Sequence, residues 1–194
     1  MAPEDSFAQF VSLACHDLRT PLATVSGFAH TLRQNEIGQP ADRYVEMIQA
    51  ASGQIADILD VLGLAARIEA GGFAPNLVEG DTLELAEAAA GLVGEKAAAG
   101  GTGSGIEVER EATERALAAL ARCALRHGGL EHVELTAEGT AVAITPILPN
   151  VAPIVLGDDL KDLGAAAARR LVESLGGSLA VEDSRLLVRL PASA

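Results

Sequence analysis

The stretch CHDLRTPL at residues 15–22 lies inside an apolar repeat that decides the first part of the fold. Over residues 7–34, apolar side chains recur at steps of three and four, which is the heptad pattern of packed helices. The repeat consists of Val11, Ala14, Leu18, Pro21, Val25, Phe28 and Leu32. His16 falls midway between Ala14 and Leu18, about 200° around a helix from each of them. The spacing therefore predicts a long helix that presents His16 away from its packed face.

A second apolar repeat follows a predicted turn at residues 35–40 and ends at Gly71 and Gly72. Its members are Tyr44, Ile48, Ala51, Ile55, Ile58, Leu62 and Ala65. Two long helices joined by a short turn predict an antiparallel hairpin, which we assign to residues 1–72 as a first domain. A lone hairpin cannot bury two wide apolar stripes. We therefore expect two copies to pair as a four-helix bundle in a homodimer.

The remaining residues, 73–194, mix helical and strand-like patterns and are expected to form a second domain. Such a mixture predicts an α/β sandwich, with one sheet covered on one face by helices. The glycine-rich residues 97–105 lack the lysine and the strand-then-helix setting of a phosphate-binding loop, so we expect a flexible connector. Helices are expected at 81–96, 113–126 and 159–175, and strands at 106–108, 133–135, 141–145, 179–181 and 186–190.

The composition excludes several classes of protein. A net charge of −13 and only 14 Lys and Arg residues argue against a nucleic-acid partner. No apolar run approaches the ~18 residues of a membrane span, and there is no signal-peptide pattern. The two cysteines, Cys15 and Cys123, show no metal-ligand spacing and are interpreted as reduced thiols of a cytoplasmic protein.

The residues around His16 suit the transfer of a phosphoryl group onto and off a nitrogen. An imidazole is a nucleophile near neutral pH, and Thr20 shares its helix face at the (i, i+4) spacing. Thr20 and Pro21 could begin a helix as its cap and first residue. Because the apolar repeat runs through Pro21, a continuous, bent helix is favoured. Arg19 is equally compatible with binding phosphate and with pairing to an acid.

The segment HDLRTPL, residues 16–22, resembles the phosphoacceptor box of sensor histidine kinases. The resemblance implies that His16 is the phosphoacceptor, that Asp17 orients its ring and takes its proton, and that Thr20 positions water for dephosphorylation of a response regulator. It extends along the chain in the family's order. Residues 64–71 are similar to the segment leaving the dimerisation bundle, 117–128 to the helix with the metal-binding Asn box, and 162–177 to the second glycine box and its helix.

The sequence departs from the family where ATP and magnesium should bind. Cys123 stands at the Asn-box position, and a thiol is a poor ligand for Mg²⁺. Pro146 stands where the family has the Asp that binds adenine, and it offers neither a carboxylate nor an N–H. Leu148 and Asn150 stand where the first glycine box has its glycines.

The second glycine box is also altered. Gly164 is kept, but Asp162 replaces a glycine and is expected to repel phosphate. The family's lid is reduced to residues 151–161. We therefore expect a degenerate ATPase-like domain that keeps its fold and binds no nucleotide, no metal and no other cofactor.

These observations predict a histidine phosphotransfer protein of a two-component phosphorelay. His16 would pass a phosphoryl group between the receiver domains of response regulators, and any Mg²⁺ would belong to the receiver. Three alternatives stay open: a divergent ATP-dependent sensor histidine kinase, a response-regulator phosphatase, and a non-catalytic pseudokinase that binds a response regulator.

Overall fold

A computed structural model describes residues 3–34 and 41–193, which leaves the predicted turn at 35–40 outside the described residues. The N-terminal part is a helical hairpin. It consists of α1 (Pro3–Gln34) and α2 (Ala41–Glu69), and α1 continues through Pro21 without a break. The Phe28 ring of α1 stacks on the Tyr44 ring of α2, with their centroids 5.4 Å apart. The predicted hairpin is therefore confirmed.

The second part of the chain contains seven strands and four helices among its described residues, and it forms an α/β domain as predicted. The elements in order are β1 (Val78–Asp81), α3 (Thr82–Val93), β2 (Ala97–Gly103), β3 (Gly105–Val108), α4 (Arg110–Gly128), β4 (Val133–Gly139), β5 (Ala141–Thr145), α5 (Ala152–Val155), α6 (Leu163–Ser174), β6 (Ser178–Glu182) and β7 (Arg185–Arg189). The chain divides into two compact units, Met1–Leu64 and Ala65–Ala194.

The main sheet has five strands in the order β2-β4-β5-β7-β6. Only β2 and β4 run parallel, and the other neighbours are antiparallel. Along β4, Val133, Leu135 and Ala137 are buried and alternate with more exposed residues. This alternation turns one face of the strand toward the core, where α3 contacts β2, β4 and β5. A separate two-stranded ribbon pairs β1 with β3.

The expectation of a flexible connector at 97–105 was wrong, because Ala97–Gly103 is the edge strand β2. Seven alanine, glycine and threonine residues carry no apolar alternation that would predict a strand. Their small size has a packing reason. Gly101 has a φ of +105°, and a Cβ at this position would clash with the backbone carbonyl of Ala137 on β4. The close strand approach therefore requires glycine where the sequence pattern indicates a loop.

Two helices are shorter than predicted because capping residues end them early. The helix expected at 81–96 is Thr82–Val93: the Asp81 carboxylate caps its start by accepting from the Leu83 N–H, and Gly94 closes it. The helix expected at 159–175 begins only after Asp162. The residues before it contain the short helix α5, which the sequence did not predict.

Candidate functional site

His16 lies on the solvent side of α1, and its side chain is 75% exposed, as the heptad geometry predicts. Its Nδ1 is 3.2 Å from Oδ1 of the neighbouring Asp17. In the neutral tautomer that carries its proton on Nδ1, this nitrogen donates to the carboxylate. In this tautomer Nε2 is unprotonated, so its lone pair is available as a nucleophile. The pair is thus arranged for nucleophilic attack by Nε2, with Asp17 stabilising positive charge on the ring.

Thr20 lies one helical turn after His16 and is exposed. Its backbone oxygen accepts a hydrogen bond of 3.1 Å from the Thr24 hydroxyl. Pro21 is buried within the apolar repeat and has no N–H, so the carbonyl of Asp17 loses its helical donor. Arg19 is exposed beside them. The structure therefore gathers the five predicted residues of the His16 box on two turns of one continuous helix.

A second group of reactive side chains lies at the predicted Asn-box position. Cys123 and His127 are one turn apart on α4, and Asp162 lies just before α6. One ligand atom from each of the three comes within 4.8 Å of the others. The Cys123 side chain is completely buried and Asp162 is 5% exposed. Burial, and secondarily the charge of Asp162, raises the pKa of the Cys123 thiol well above its ordinary value, so the thiol is neutral at physiological pH.

Asp162 is the centre of this group, because both of its carboxylate oxygens have partners. Oδ1 caps α6 by accepting from the Ala165 N–H at 3.0 Å. Oδ2 is 3.1 Å from Nη1 of Arg126 and 3.2 Å from Nε2 of His127. The sequence suggested only a helix-terminal cation at His127 and a phosphate-repelling charge at Asp162. It could not show their contact, because 35 residues separate them and only the packing of α4 against α6 joins them.

Two of the other predicted nucleotide-site positions, Leu148 and Gly164, lie against α4. Pro146 and Asn150 are exposed, whereas Leu148 is half-buried and lies close to Gly128 at the end of α4. A Cβ at Gly164 would lie 3.1 Å from Cβ of Ala119, so this glycine lets α6 approach α4 closely. None of these four residues supplies a carboxylate.

The reduced lid segment is folded onto the domain. Its residues Val151, Ile154 and Val155 are buried. Just before the segment, Ile147 donates its N–H to the carbonyl of Ser184. The residues here do not suit a magnesium–nucleotide complex. The side chain at the predicted Asn-box position is a buried thiol, and the residue at the predicted adenine position is a proline.

Comparison with known proteins identifies the N-terminal part. The family model of the His Kinase A (phospho-acceptor) domain matches residues 8–71, a range that contains the whole His16 box. The histidine protein kinase DivJ of Caulobacter vibrioides is 34% identical over 90 residues. That match covers 44% of this chain and 15% of DivJ. The chain is therefore similar to histidine kinases over its N-terminal part, and it spans only a small share of the length of DivJ.

Solved structures show a similar fold for the second domain as well. Acinetobacter baumannii histidine kinase AdeS matches with a TM-score of 0.70 at 15% identity, covering 92% of this chain and 98% of that one. The ATP binding domain of PrrB from Mycobacterium tuberculosis matches with a TM-score of 0.50 at 22% identity, covering 61% of this chain and 99% of that domain. At these identities the likeness establishes the fold of the second domain.

Among the described residues, no helix is both long and apolar enough to cross a membrane.

Proposed function

We propose that this chain is a histidine phosphotransfer protein, which accepts a phosphoryl group on His16 from one receiver domain and donates it to another without using ATP. The observation that carries the proposal is the contrast between two sites. His16, with its Asp17 partner, is exposed on α1, whereas the position that should hold magnesium is the buried thiol of Cys123. A phosphorylated partner can reach the first site, and at the second the side chain of residue 123 is a thiol, which is a poor ligand for Mg²⁺.

Two further observations support the loss of ATP. A helix N-terminus attracts phosphate through its free N–H groups, but at α6 the Asp162 carboxylate already accepts from one of them. The negative charge of Asp162 would also oppose phosphate at this position. In addition, the lid segment buries Val151, Ile154 and Val155 in the domain instead of reaching over a ligand.

The transfer chemistry follows from the His16 geometry. Nε2 of His16 attacks the phosphorus of an aspartyl phosphate on the first receiver. A P–N bond forms while the bond between phosphorus and the carboxylate oxygen breaks, and the carboxylate leaves with the electron pair. The Nδ1 proton stays hydrogen-bonded to Asp17, which stabilises the positive ring. In the onward step a carboxylate of the second receiver attacks, and the electron pair of the P–N bond returns to Nε2.

The finer parts of the proposal concern the assembly. Two hairpins would pair as a four-helix bundle, so that each dimer presents two copies of His16. Receiver domains of response regulators would dock beside them and bring their own Mg²⁺. We place this relay in the cytoplasm, where receivers are found and where free thiols such as Cys15 and Cys123 stay reduced.

The test is a reconstituted transfer reaction. Receiver domains from the same organism are phosphorylated with radiolabelled phosphate by their own kinases, purified and mixed with this chain. We expect label to appear on the chain as an acid-labile, alkali-stable phosphohistidine, and then to move to a second receiver. The His16→Ala variant should accept no label. His132→Ala, which removes an exposed histidine of the second unit, should behave like the unchanged chain.

The alternatives give different results in the same experiment. Labelling of His16 by ATP and magnesium alone, or saturable ATP binding in calorimetry at millimolar nucleotide, would show a divergent kinase. Release of inorganic phosphate from the receiver without labelled His16 would show a phosphatase. Transfer between receivers that survives His16→Ala would contradict the proposal, and receiver binding with no transfer of label would leave a pseudokinase.

A further inference from the structure

We infer that Cys123, His127 and Asp162 form a binding site for a divalent transition metal ion of the zinc class. The three side chains offer one sulfur, one imidazole nitrogen and one carboxylate oxygen, which is a donor set typical of Zn²⁺ and Co²⁺ and unsuited to Mg²⁺. Three protein ligands leave a fourth tetrahedral position for water or an anion. The inference goes beyond the proposed function and stands apart from His16, because all three residues belong to the second compact unit.

The distances suit a tetrahedral ion. Two ligand atoms that each lie about 2.0 Å from such an ion are about 3.3 Å apart. Nε2 of His127 and Oδ2 of Asp162 are 3.2 Å apart. A thiolate ligand would lie about 3.6 Å from each of them. The three ligand atoms already lie within 4.8 Å of one another. A displacement of the Cys123 sulfur by about 1 Å would therefore bring all three to tetrahedral ligand distances.

The backbone fixes the three residues before any ion arrives. Cys123 and His127 occupy positions i and i+4 of α4, a spacing that aims two ligands at one point on a helix face. Asp162 is held by its cap on Ala165, which uses Oδ1 and leaves Oδ2 directed toward His127. A site that is ordered in advance loses little conformational entropy when it binds.

Two contacts of Asp162 Oδ2 must change when the ion enters, and the hydrogen bond with His127 Nε2 is replaced by the bonds of both atoms to the ion. Arg126 contacts the same Oδ2 atom, but its side chain is 67% exposed and can move into solvent. The ion then takes over the role of this cation as the partner of the Asp162 charge. The Cys123 thiol gives its proton to solvent as the metal–sulfur bond forms. His127 binds the ion through Nε2 in the tautomer that carries its proton on Nδ1, and no atom changes oxidation state. His127, 22% exposed, lies on the side from which an ion can enter.

Cobalt titration of the full, untagged chain tests the inference. Protein stripped of metal with EDTA and kept in a non-thiol reductant is titrated with Co²⁺. We expect one equivalent to bind, with visible bands of tetrahedral cobalt and a near-ultraviolet band from the cobalt–thiolate bond. Zn²⁺ should displace the cobalt, and at a hundredfold excess over its Kd it should raise Tm by about 5 to 10 °C.

Matched variants separate this site from other thiols and histidines. Cys123→Ala should abolish the thiolate band, and His127→Gln should weaken binding by at least about tenfold. Cys15→Ser and His132→Gln, which alter exposed residues, should leave the spectra unchanged. Circular dichroism confirms that each variant is folded. Binding without the thiolate band, no binding by the folded chain, or loss of the band in Cys15→Ser would each overturn the inference. The cobalt spectra do not depend on phosphoryl transfer. The metal-site inference and the proposed role of His16 can therefore be contradicted independently of each other.

Discussion

Asp162 is a nearly buried acid whose two oxygens have separate partners, and this division defines its role. Oδ1 caps α6 through the Ala165 N–H, whereas Oδ2 contacts Arg126 and His127. His16 and Asp17 form the opposite kind of pair, because both are adjacent in sequence and open to solvent. An exposed contact of this kind contributes little to stability, whereas the buried contacts of Asp162 contribute to the fold.

Two substitutions of Asp162 distinguish the stability contributed by its cap on α6 from that contributed by its negative charge. In EDTA, Asp162→Ala should lower the free energy of unfolding by about 1–3 kcal/mol, since the cap and a buried hydrogen-bonded charge are both lost. Asp162→Asn keeps an oxygen that accepts from Ala165, so it should lose about half as much. Urea unfolding measures both values.

The control for Asp162 is Asp159→Ala, which removes a surface partner of Lys161. This change should alter stability by no more than about 0.5 kcal/mol. Equal losses in Asp162→Ala and Asp159→Ala would show that the contacts of Asp162 with α4 and α6 do not stabilise the domain.

At the scale of elements, helices and strands differ in how clearly their sequences predict them. The heptad repeats of α1 and α2 extend over about four turns or more, and their periodicity alone indicates helices that pack on one face. The strand β2 has no such signal. Its pairing with β4 depends on the absence of a side chain at Gly101. There the backbone has a positive φ and lies too close to the Ala137 backbone to leave room for a Cβ.

Two adjacent glycines of β2 test this account. Gly101→Ala should destabilise the second unit by about 2–4 kcal/mol, because the new Cβ meets the Ala137 carbonyl and the φ of +105° strains an L-residue. Gly100→Ala adds the same methyl group where no atom lies within 4 Å, and should change stability by less than about 1 kcal/mol. Thermal unfolding compares the two. If both variants unfold at the same temperature, close strand approach is not the reason for glycine at Gly101.

At the scale of the whole molecule, the hairpin unit leaves large apolar side chains in solvent. Leu22, Val45, Met47 and Leu59 are each more than a third exposed on α1 and α2. An isolated hairpin has few ways to cover such residues, and the pairing with a second copy proposed above would cover them. The second unit has its own core, formed between α3, α4, α6 and the five-stranded sheet.

Sedimentation equilibrium tests the pairing of two chains. The intact chain should sediment as a dimer, and Leu59→Glu should shift it toward monomer by placing a charge on the apolar face of α2. Leu92→Glu is the matched control, because Leu92 is similarly exposed but lies on α3. The control variant should remain dimeric. A monomeric intact chain at micromolar concentration, or equal dissociation of both variants, would contradict dimerisation through the hairpin.

The sequence by itself determined the parts of this protein that depend on neighbours along the chain. The heptad steps set the helices and the exposure of His16, because a helix places residues three and four apart on one face. The contact between His16 and Asp17 is also local, because the two residues are adjacent in the sequence. The resemblance of the sequence to sensor histidine kinases predicted that Cys123, Pro146, Leu148 and Asn150 depart from that family's nucleotide-binding pattern.

Tertiary structure decided what depends on residues far apart in the chain. The strand β2 exists because its backbone fits against β4, and no local pattern encodes that fit. Likewise, Cys123 and His127 acquire their relation to Asp162 only where α6 packs on α4. Contacts of this kind arise from long-range packing, which neither periodicity nor spacing in a single sequence reports.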